Sequence, residues 1–147
     1  MDFTLQHLED EPALRASFDL MRVLRPHLRD PAAYSTQLLR QVAQGYRLLG
    51  AWQGLTLVGL AGYREMENLI YSRFIYVDDL VVSPDLQRSG LGANLLNGVR
   101  DEAVRRQCNQ LVLDTGLHMA LAQRFYFRQG LLAHGMHFTQ SLTGKQP

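Results

Sequence analysis

Cysteine, net charge and long apolar runs are all scarce in this chain, and each scarcity excludes a class of protein. Cys108 is the only cysteine among 147 residues, which excludes a scaffold held by internal disulfides and favours a reducing compartment such as the cytoplasm. The formal net charge is only +1, so neither nucleic acid nor an anionic membrane is expected as a partner. No apolar run approaches the roughly 20 residues that span a bilayer.

Motifs for metals and nucleotides are also missing. No His and Cys spacing typical of zinc occurs, so no bound metal is expected. The chain has neither the Lys-Ser/Thr that follows glycine in a P-loop nor the three-glycine spacing of dinucleotide-binding folds, which argues against a nucleotide-phosphate enzyme of another fold. The composition is ordinary, with 46% hydrophobic and 20% charged residues. The length suits one domain over residues 1–147 with a substantial core.

Alternating and helical periods predict a mixed α/β domain, with an antiparallel meander followed by strand–helix–strand–helix–strand. Helices are predicted from Asp10 to about Leu24, from Asp30-Pro31 to Gly45, from Leu91 onward, and through Phe125 to Gly130. Strands are predicted at 3–8, 46–52, 56–66, 71–82, 111–113 and 136–142. The fully apolar strand 111–113 is typical of the middle of a sheet.

The segment from Gln87 to Gly92 lies between the apolar run Leu80–Val82 and an amphipathic helical run that begins at Leu91. A strand, a glycine-containing turn and a helix N-terminus together favour anion binding. The first N–H groups of a helix have no internal partner, the helix dipole is positive there, and glycine lets the main chain approach a ligand closely. The segment therefore predicts a site for phosphate or pyrophosphate.

Two blocks of the sequence resemble signatures of the GCN5-related N-acetyltransferases. The first is Gln87-x-x-Gly90-x-Gly92, which follows the strand and turn of 79–84. The second is 122–131, where an alanine precedes the pair Phe125-Tyr126 and then glycine and a hydrophobic residue. Further segments, among them 78–81 and 113–116, resemble a bacterial branch of that family. The resemblance implies a mixed, mostly antiparallel central sheet with helices on both faces and a splayed pair of parallel strands.

The resemblance also implies an activity and a site. It indicates an acetyl-CoA-dependent N-acetyltransferase that acts by direct transfer in a ternary complex, with the primary amine of a small molecule or peptide as acceptor. The pantetheine arm of acetyl-CoA would pair with the main chain of Leu80, Val81 and Val82. The pyrophosphate would be held at the signature that Gln87 begins, by the main-chain N–H groups of Arg88, Ser89, Gly90, Leu91, Gly92 and Ala93. Tyr126 would donate a proton to the departing thiolate.

Three candidate catalytic residues each have an alternative interpretation. Tyr126 is the proposed acid, although an aromatic residue beside Phe125 on a helix also suits core packing. Asp79 is either a general base acting through water or the partner in an ion pair. Asp114 follows strand 111–113 and either orients the acid or base or begins a turn.

Two wider questions stay open at this point. A non-catalytic module that binds or senses acyl-CoA would keep the anion-binding turn without the chemistry. The apolar strand predicted at 136–142 could lie against a second subunit, so a homodimer is possible.

Overall fold

The computed structural model describes residues 2–144, which fall into two compact units that divide between Leu113 and Asp114. The first unit contains five strands: β1 (Thr4–Leu8), β2 (Tyr46–Gln53), β3 (Thr56–Asn68), β4 (Ser72–Val82) and β5 (Gln110–Leu113). It also contains the helices α1 (Glu11–Ala16), α2 (Phe18–Leu24), α3 (Pro31–Ala43) and α4 (Leu91–Arg105), and a short 3-10 turn at Pro84–Leu86. The second unit contains α5 (Ala120–Arg128).

The five strands form one sheet in the order β1-β2-β3-β4-β5. The first three pairings are antiparallel and the last, between β4 and β5, is parallel. The predicted mixed, mostly antiparallel sheet is therefore confirmed. Gly54 makes the tight turn between β2 and β3 in a left-handed conformation (φ +62°), as a short hairpin requires.

Helices cover both faces of this sheet. Alternate residues of a strand point to opposite sides, so each face packs its own set of side chains against helices. On one side, called here the α1–α3 face, Leu48, Leu60 and Val81 pack with buried residues of the first three helices. On the other, called the α4 face, α4 lies so close that a Cβ on Gly59 would come within 2.7 Å of Leu95 Cδ1. The predicted helices on both faces are thus present.

Two predicted elements are present but differ in form from the expectation. The helix expected from Asp10 to Leu24 is two helices, which meet at the fully buried Ser17. Its hydroxyl donates to Leu14 O over 2.6 Å and lies 2.7 Å from the Tyr34 hydroxyl. Its main-chain N–H also bonds Leu14 O, over 3.1 Å, which is the tighter spacing of a 3-10 turn. Strand 111–113 also differs from expectation, because β5 is at an edge of the described sheet and is only half-buried.

The strand predicted at 136–142 was wrong, because none of these described residues is in a strand. Alternation alone does not make a strand, since a strand also needs a neighbour to bond with. The homodimer was predicted from this strand. It stays a prediction, but the strand no longer supports it. Among residues 2–144, no helix combines the length and the apolar character that a membrane span requires.

Candidate functional site

Strand β4 extends beyond its parallel neighbour. The pairing of β4 with β5 runs from Phe74 to Val77, opposite Gln110–Leu113, whereas β4 itself continues to Val82. Among the described strands, none pairs with residues 78–82 on the side where β5 pairs with 74–77. This unpaired side of residues 78–82 is called here the free edge of β4. Unpaired main-chain groups on a strand edge can bond an extended ligand as an additional strand would. The predicted pantetheine-binding residues Leu80, Val81 and Val82 all lie on this edge.

The anion-binding turn follows directly after the free edge. Gly90 precedes the first residue of α4 in a left-handed conformation (φ +86°, ψ 0°), and Arg88 is also left-handed (φ +67°). The Ser89 hydroxyl donates to Leu86 O and accepts from Leu91 N over 3.3 Å. The residue at the N-cap, Gly90, has no side chain, and the first turn of the helix contains no acidic residue. The Ser89 N–H donates to Leu86 O over 3.3 Å, and the remaining N–H groups at this exposed end are oriented for an anion.

The other predicted phosphate-binding residues lie in the same place. Gln87, Arg88, Ser89 and Gly90 are exposed, whereas Leu91 is buried and anchors the helix in the core. Gly92 and Ala93 occupy the first turn of α4 and are half-buried. The structure thus brings the two predicted acyl-CoA-binding segments, the free edge and the turn, together within one unit.

A β-bulge at Asp78 determines where two neighbouring carboxylates point. Gly62 pairs with Asp79 while Tyr63 pairs with Val77, so Asp78 has no opposite residue in β3. In a regular strand, Asp78 and Asp79 would point to opposite faces of the sheet. The bulge instead lets both carboxylates meet arginines on the α1–α3 face.

Each of these carboxylates has its own arginine. Arg64 donates to both oxygens of Asp78, over 2.8 Å each. Burial raises the pKa of Asp78, and the Arg64 guanidinium only partly offsets that effect. Arg25, between α2 and α3, donates from Nε and Nη2 to Asp79 Oδ1 over 3.2 and 3.0 Å. Its Nη2 also donates to the main-chain oxygen of Asp78 over 2.8 Å.

The second oxygen of Asp79 is bound from inside the core. The Tyr46 hydroxyl donates to Asp79 Oδ2 over 2.7 Å, and Tyr46 is fully buried. Its ring crosses the place where Gly62 has no side chain, since a Cβ there would lie 1.8 Å from the Tyr46 hydroxyl oxygen. Burial and the Asp79 carboxylate raise the pKa of Tyr46 well above its usual value. Tyr46 is therefore a neutral hydrogen-bond donor to Asp79.

The structure thus places Asp79 in the ion pair that was one of its two interpretations. Its use as a general base stays a prediction. The sequence did not predict Arg25, Tyr46 or Arg64 as partners of these carboxylates. The consecutive carboxylates of Asp78 and Asp79, next to the apolar run Leu80–Val82, were the one local signal, because buried charges require partners.

The remaining two candidates lie in the second unit. Asp114 follows β5 directly, and its carboxylate is 3.5 Å from Nδ1 of His137. Tyr126 is half-buried on α5, with its ring packed edge-to-face against Phe125 at a centroid distance of 5.4 Å. Their catalytic roles stay predictions. No group of three or more metal-binding side chains occurs among residues 2–144.

Comparison with known proteins adds independent evidence. Residues 10–131 match the model of the Acetyltransferase (GNAT) family. No curated protein sequence matches the chain significantly.

Several solved structures are similar to this one throughout. An acetyltransferase from Trypanosoma brucei is 20% identical, with 96% of this chain and 100% of that chain covered and a TM-score of 0.79. A transcriptional regulator from Bacillus halodurans is 18% identical, with 96% and 100% covered and a TM-score of 0.84. The enzyme AAC(6')-Iy, bound to a bisubstrate analogue of CoA and acetylneamine, is 16% identical, with 96% and 99% covered and a TM-score of 0.81. At these identities the similarity shows a shared fold.

Proposed function

Because the chain belongs to the GNAT acetyltransferase family, we propose that it is an acetyl-CoA-dependent N-acetyltransferase whose acceptor is a primary amine. Acetyl transfer is the activity of the family, and a solved structure of similar fold carries a CoA-containing bisubstrate analogue. Acetyl-CoA as the donor, and a small molecule or peptide as the acceptor, are the specific parts of the proposal. Transfer takes place directly from donor to acceptor when both are bound.

The observation that carries the proposal is the continuity between the free edge of β4 and the N-terminus of α4. An acyl-CoA has an extended amide-containing arm and a pyrophosphate. The main chain of 80–82 can bond the arm, and the N–H groups of 88–93 can bond the pyrophosphate. The left-handed Gly90 has nothing within 4 Å of the position of a Cβ, so its main chain is open to a ligand.

The chemistry needs one bond formed and one broken. The amine nitrogen attacks the thioester carbon, the C–S bond breaks, and the nitrogen loses a proton while the thiolate gains one. We assign proton donation to the Tyr126 hydroxyl. A phenol, with an ordinary pKa of about 10, can protonate a thiolate whose conjugate acid has a pKa of about 8.5 when the two are held together. Asp79 or Asp114 would orient groups or accept a proton on the amine side.

A panel of amines assayed for release of free thiol from acetyl-CoA tests the function. The panel contains polyamines, amino acids, amino sugars, aminoglycosides and peptides. We expect thiol release that depends on at least one amine, with a matching acetylated product in the mass spectrum. Tight CoA binding without turnover of any amine would instead identify an acyl-CoA-binding module. Calorimetry that shows a preference for ATP or NAD over acetyl-CoA would overturn the assignment of the site.

A pair of glycine variants tests the cofactor site. Gly90→Ala places a side chain at φ +86° beside the proposed pyrophosphate site, and Gly54→Ala does the same at φ +62° in the distant β2–β3 turn. Each should cost about 1 kcal/mol of stability, because left-handed backbone is unfavourable for alanine. Only Gly90→Ala should weaken CoA binding in calorimetry, and equal affinities in the two variants would contradict the site.

Tyr126→Phe tests the acid. We expect the rate of acetyl transfer to fall by about 10²-fold or more, as is common when a general acid is removed, with unchanged affinity for CoA. Phe125→Leu is the matched control, because it alters the same aromatic pair without removing a hydroxyl. Unchanged turnover in Tyr126→Phe would remove this residue from the mechanism and leave the cofactor site untouched.

A further inference from the structure

On the α1–α3 face, Nη2 of Arg25 lies at a position where a primary ammonium group could also bind. Nη2 of Arg25 donates both to Asp79 Oδ1, over 3.0 Å, and to the main-chain oxygen of Asp78, over 2.8 Å. A carboxylate oxygen and a carbonyl oxygen thus converge on a single positively charged N–H donor. An ammonium group carries three N–H donors on one nitrogen and could bond both oxygens in the same way.

This nitrogen position lies at the start of the free edge of β4. Asp78 and Asp79 come immediately before Leu80–Val82, which is the segment proposed to bond the pantetheine arm. The α4 N-terminus holds the opposite end of the cofactor in that proposal. A direct transfer needs the acceptor nitrogen close to the point where the arm ends. A cation-binding position beside that edge therefore meets this requirement for an acceptor amine.

The two partners of Asp79 differ in how easily they can be exchanged. Tyr46 is fully buried and its hydroxyl bonds Oδ2 from within the core. The Arg25 side chain is 43% exposed, whereas that of Asp79 is 15% exposed. The main-chain N–H of Arg25 bonds Met21 O at the end of α2, so only its side chain has to move. An ion pair with one exposed partner is weak, so the Arg25 side chain can leave while Tyr46 stays.

We propose that the acceptor amine binds as an ammonium group at the position of Arg25 Nη2, and that Arg25 is displaced from Asp79 when it does so. This inference rests on the proposed function, and it assigns the acceptor side of the same site. The exchange replaces one cation by another, so the partly buried carboxylate always has a positive partner. Arg25 then competes with the substrate for Asp79. Neutral molecules and weakly cationic amines would not displace Arg25 and would therefore be rejected. Arg64 stays on Asp78 throughout, because it bonds both oxygens of that carboxylate over 2.8 Å, whereas Arg25 bonds one oxygen of Asp79 over 3.0 and 3.2 Å.

The displacement can be observed directly by NMR of the Arg25 side chain. The Nε–H signal of Arg25 is assigned by its loss in Arg25→Gln, and that of Arg64 by Arg64→Gln. Adding n-butylammonium chloride should shift the Arg25 signal and leave the Arg64 signal in place. Tetramethylammonium chloride at the same concentration is the control, because it has the same charge and no N–H donors. Equal shifts with the two salts, or no shift with either, would overturn the proposal.

Kinetics with an amine from the panel give a second test. Arg25→Gln removes the competitor, so KM for the amine should fall about two- to fivefold, within the range expected for a weak exposed ion pair. KM for acetyl-CoA should not change. Arg25→Lys keeps a competing cation and should resemble the parent protein. Arg29→Gln, at an exposed position of the same segment, is the control for the loss of one positive charge.

The outcomes separate this inference from the proposed function. An unchanged or increased KM for the amine in Arg25→Gln, in a protein that acetylates amines, would overturn the ammonium site and leave the acetyltransferase assignment intact. A shift of the Arg25 signal by n-butylammonium, in a protein that acetylates no amine, would support the site and contradict the function.

Discussion

The two faces of the sheet each bury a tyrosine almost completely, but the hydroxyl groups of these tyrosines have opposite kinds of partner. On the α1–α3 face, Tyr46 donates to the Asp79 carboxylate over 2.7 Å. On the α4 face, the Tyr63 hydroxyl is 2.7 Å from Nε2 of His7, and burial lowers the pKa of that imidazole. The same side chain with the same burial thus supports a charged group on one face and a neutral group on the other.

The two faces also differ in where their charged groups lie. The α1–α3 face contains two carboxylates and two arginines beside the free edge of β4, although burial of such groups is costly. The α4 face is apolar where Leu91 and Leu95 contact β3 at Gly59. Its own ion pairs join Arg106 to Glu102 and Glu65, and Glu65 lies opposite Ile75 in the part of β4 that pairs with β5. Of these charged groups, those of Asp78 and Asp79 are the ones beside the free edge, which is consistent with a functional role for them.

The largest effect on stability is expected from one of two glycine substitutions, three residues apart on β3, which test the two faces. Gly62→Ala should cost about 3 kcal/mol or more, because the new methyl group would displace the buried Tyr46 ring and its bond to Asp79. Gly59→Ala should cost only about 1 kcal/mol, because its Cβ meets the flexible end of Leu95 at 2.7 Å. Urea denaturation measures both. Equal losses would show that the two faces are equally rigid.

The two tyrosines provide the next test. Tyr46→Phe should lower the free energy of unfolding by about 1.5–3 kcal/mol, because a buried carboxylate loses a donor. Tyr63→Phe should lower it by about 0.5–1.5 kcal/mol, because its partner is neutral and half-buried. The same denaturation experiment compares them. A larger loss for Tyr63→Phe would contradict this comparison of the two hydroxyl partners.

The smallest effect concerns pH on the α4 face. His7 has a lowered pKa in the folded protein, chiefly because of burial, compared with 6.5 for an unperturbed histidine. Below pH 6.5 the unfolded chain therefore binds a proton that the folded chain resists, and stability falls as the pH decreases toward the lower, folded pKa. Above 6.5 this contribution is fully present. Subtracting the pH dependence of His7→Gln isolates the effect, and identical slopes in both proteins would contradict it.

The success of sequence-based prediction follows from how local each signal is. The turn at 87–92 and α4 were predicted correctly, because glycine, helix period and the preceding strand are adjacent in the chain. The ion pair of Arg25 with Asp79 joins residues 54 positions apart, and no local pattern indicates it. The break at Ser17 is accompanied by a contact with the hydroxyl of Tyr34, in another helix, which no local pattern indicates. The strand at 136–142 was predicted from alternation alone, and pairing is a property of two segments.

The bulge at Asp78 has a consequence for how this chain can vary. Before the bulge, the odd-numbered residues Ile75 and Val77 pair with odd-numbered residues of β3, whereas after it Leu80 pairs with Ala61. The bulge therefore exchanges the odd and even positions that face α4. Deleting a residue on either side of the bulge would transfer every side chain on one part of the strand to the wrong face, whereas deleting Asp78 itself would restore regular alternation with the same pairing. Length changes in homologous chains should accordingly fall in the turns at either end of β4, or remove the bulge residue itself.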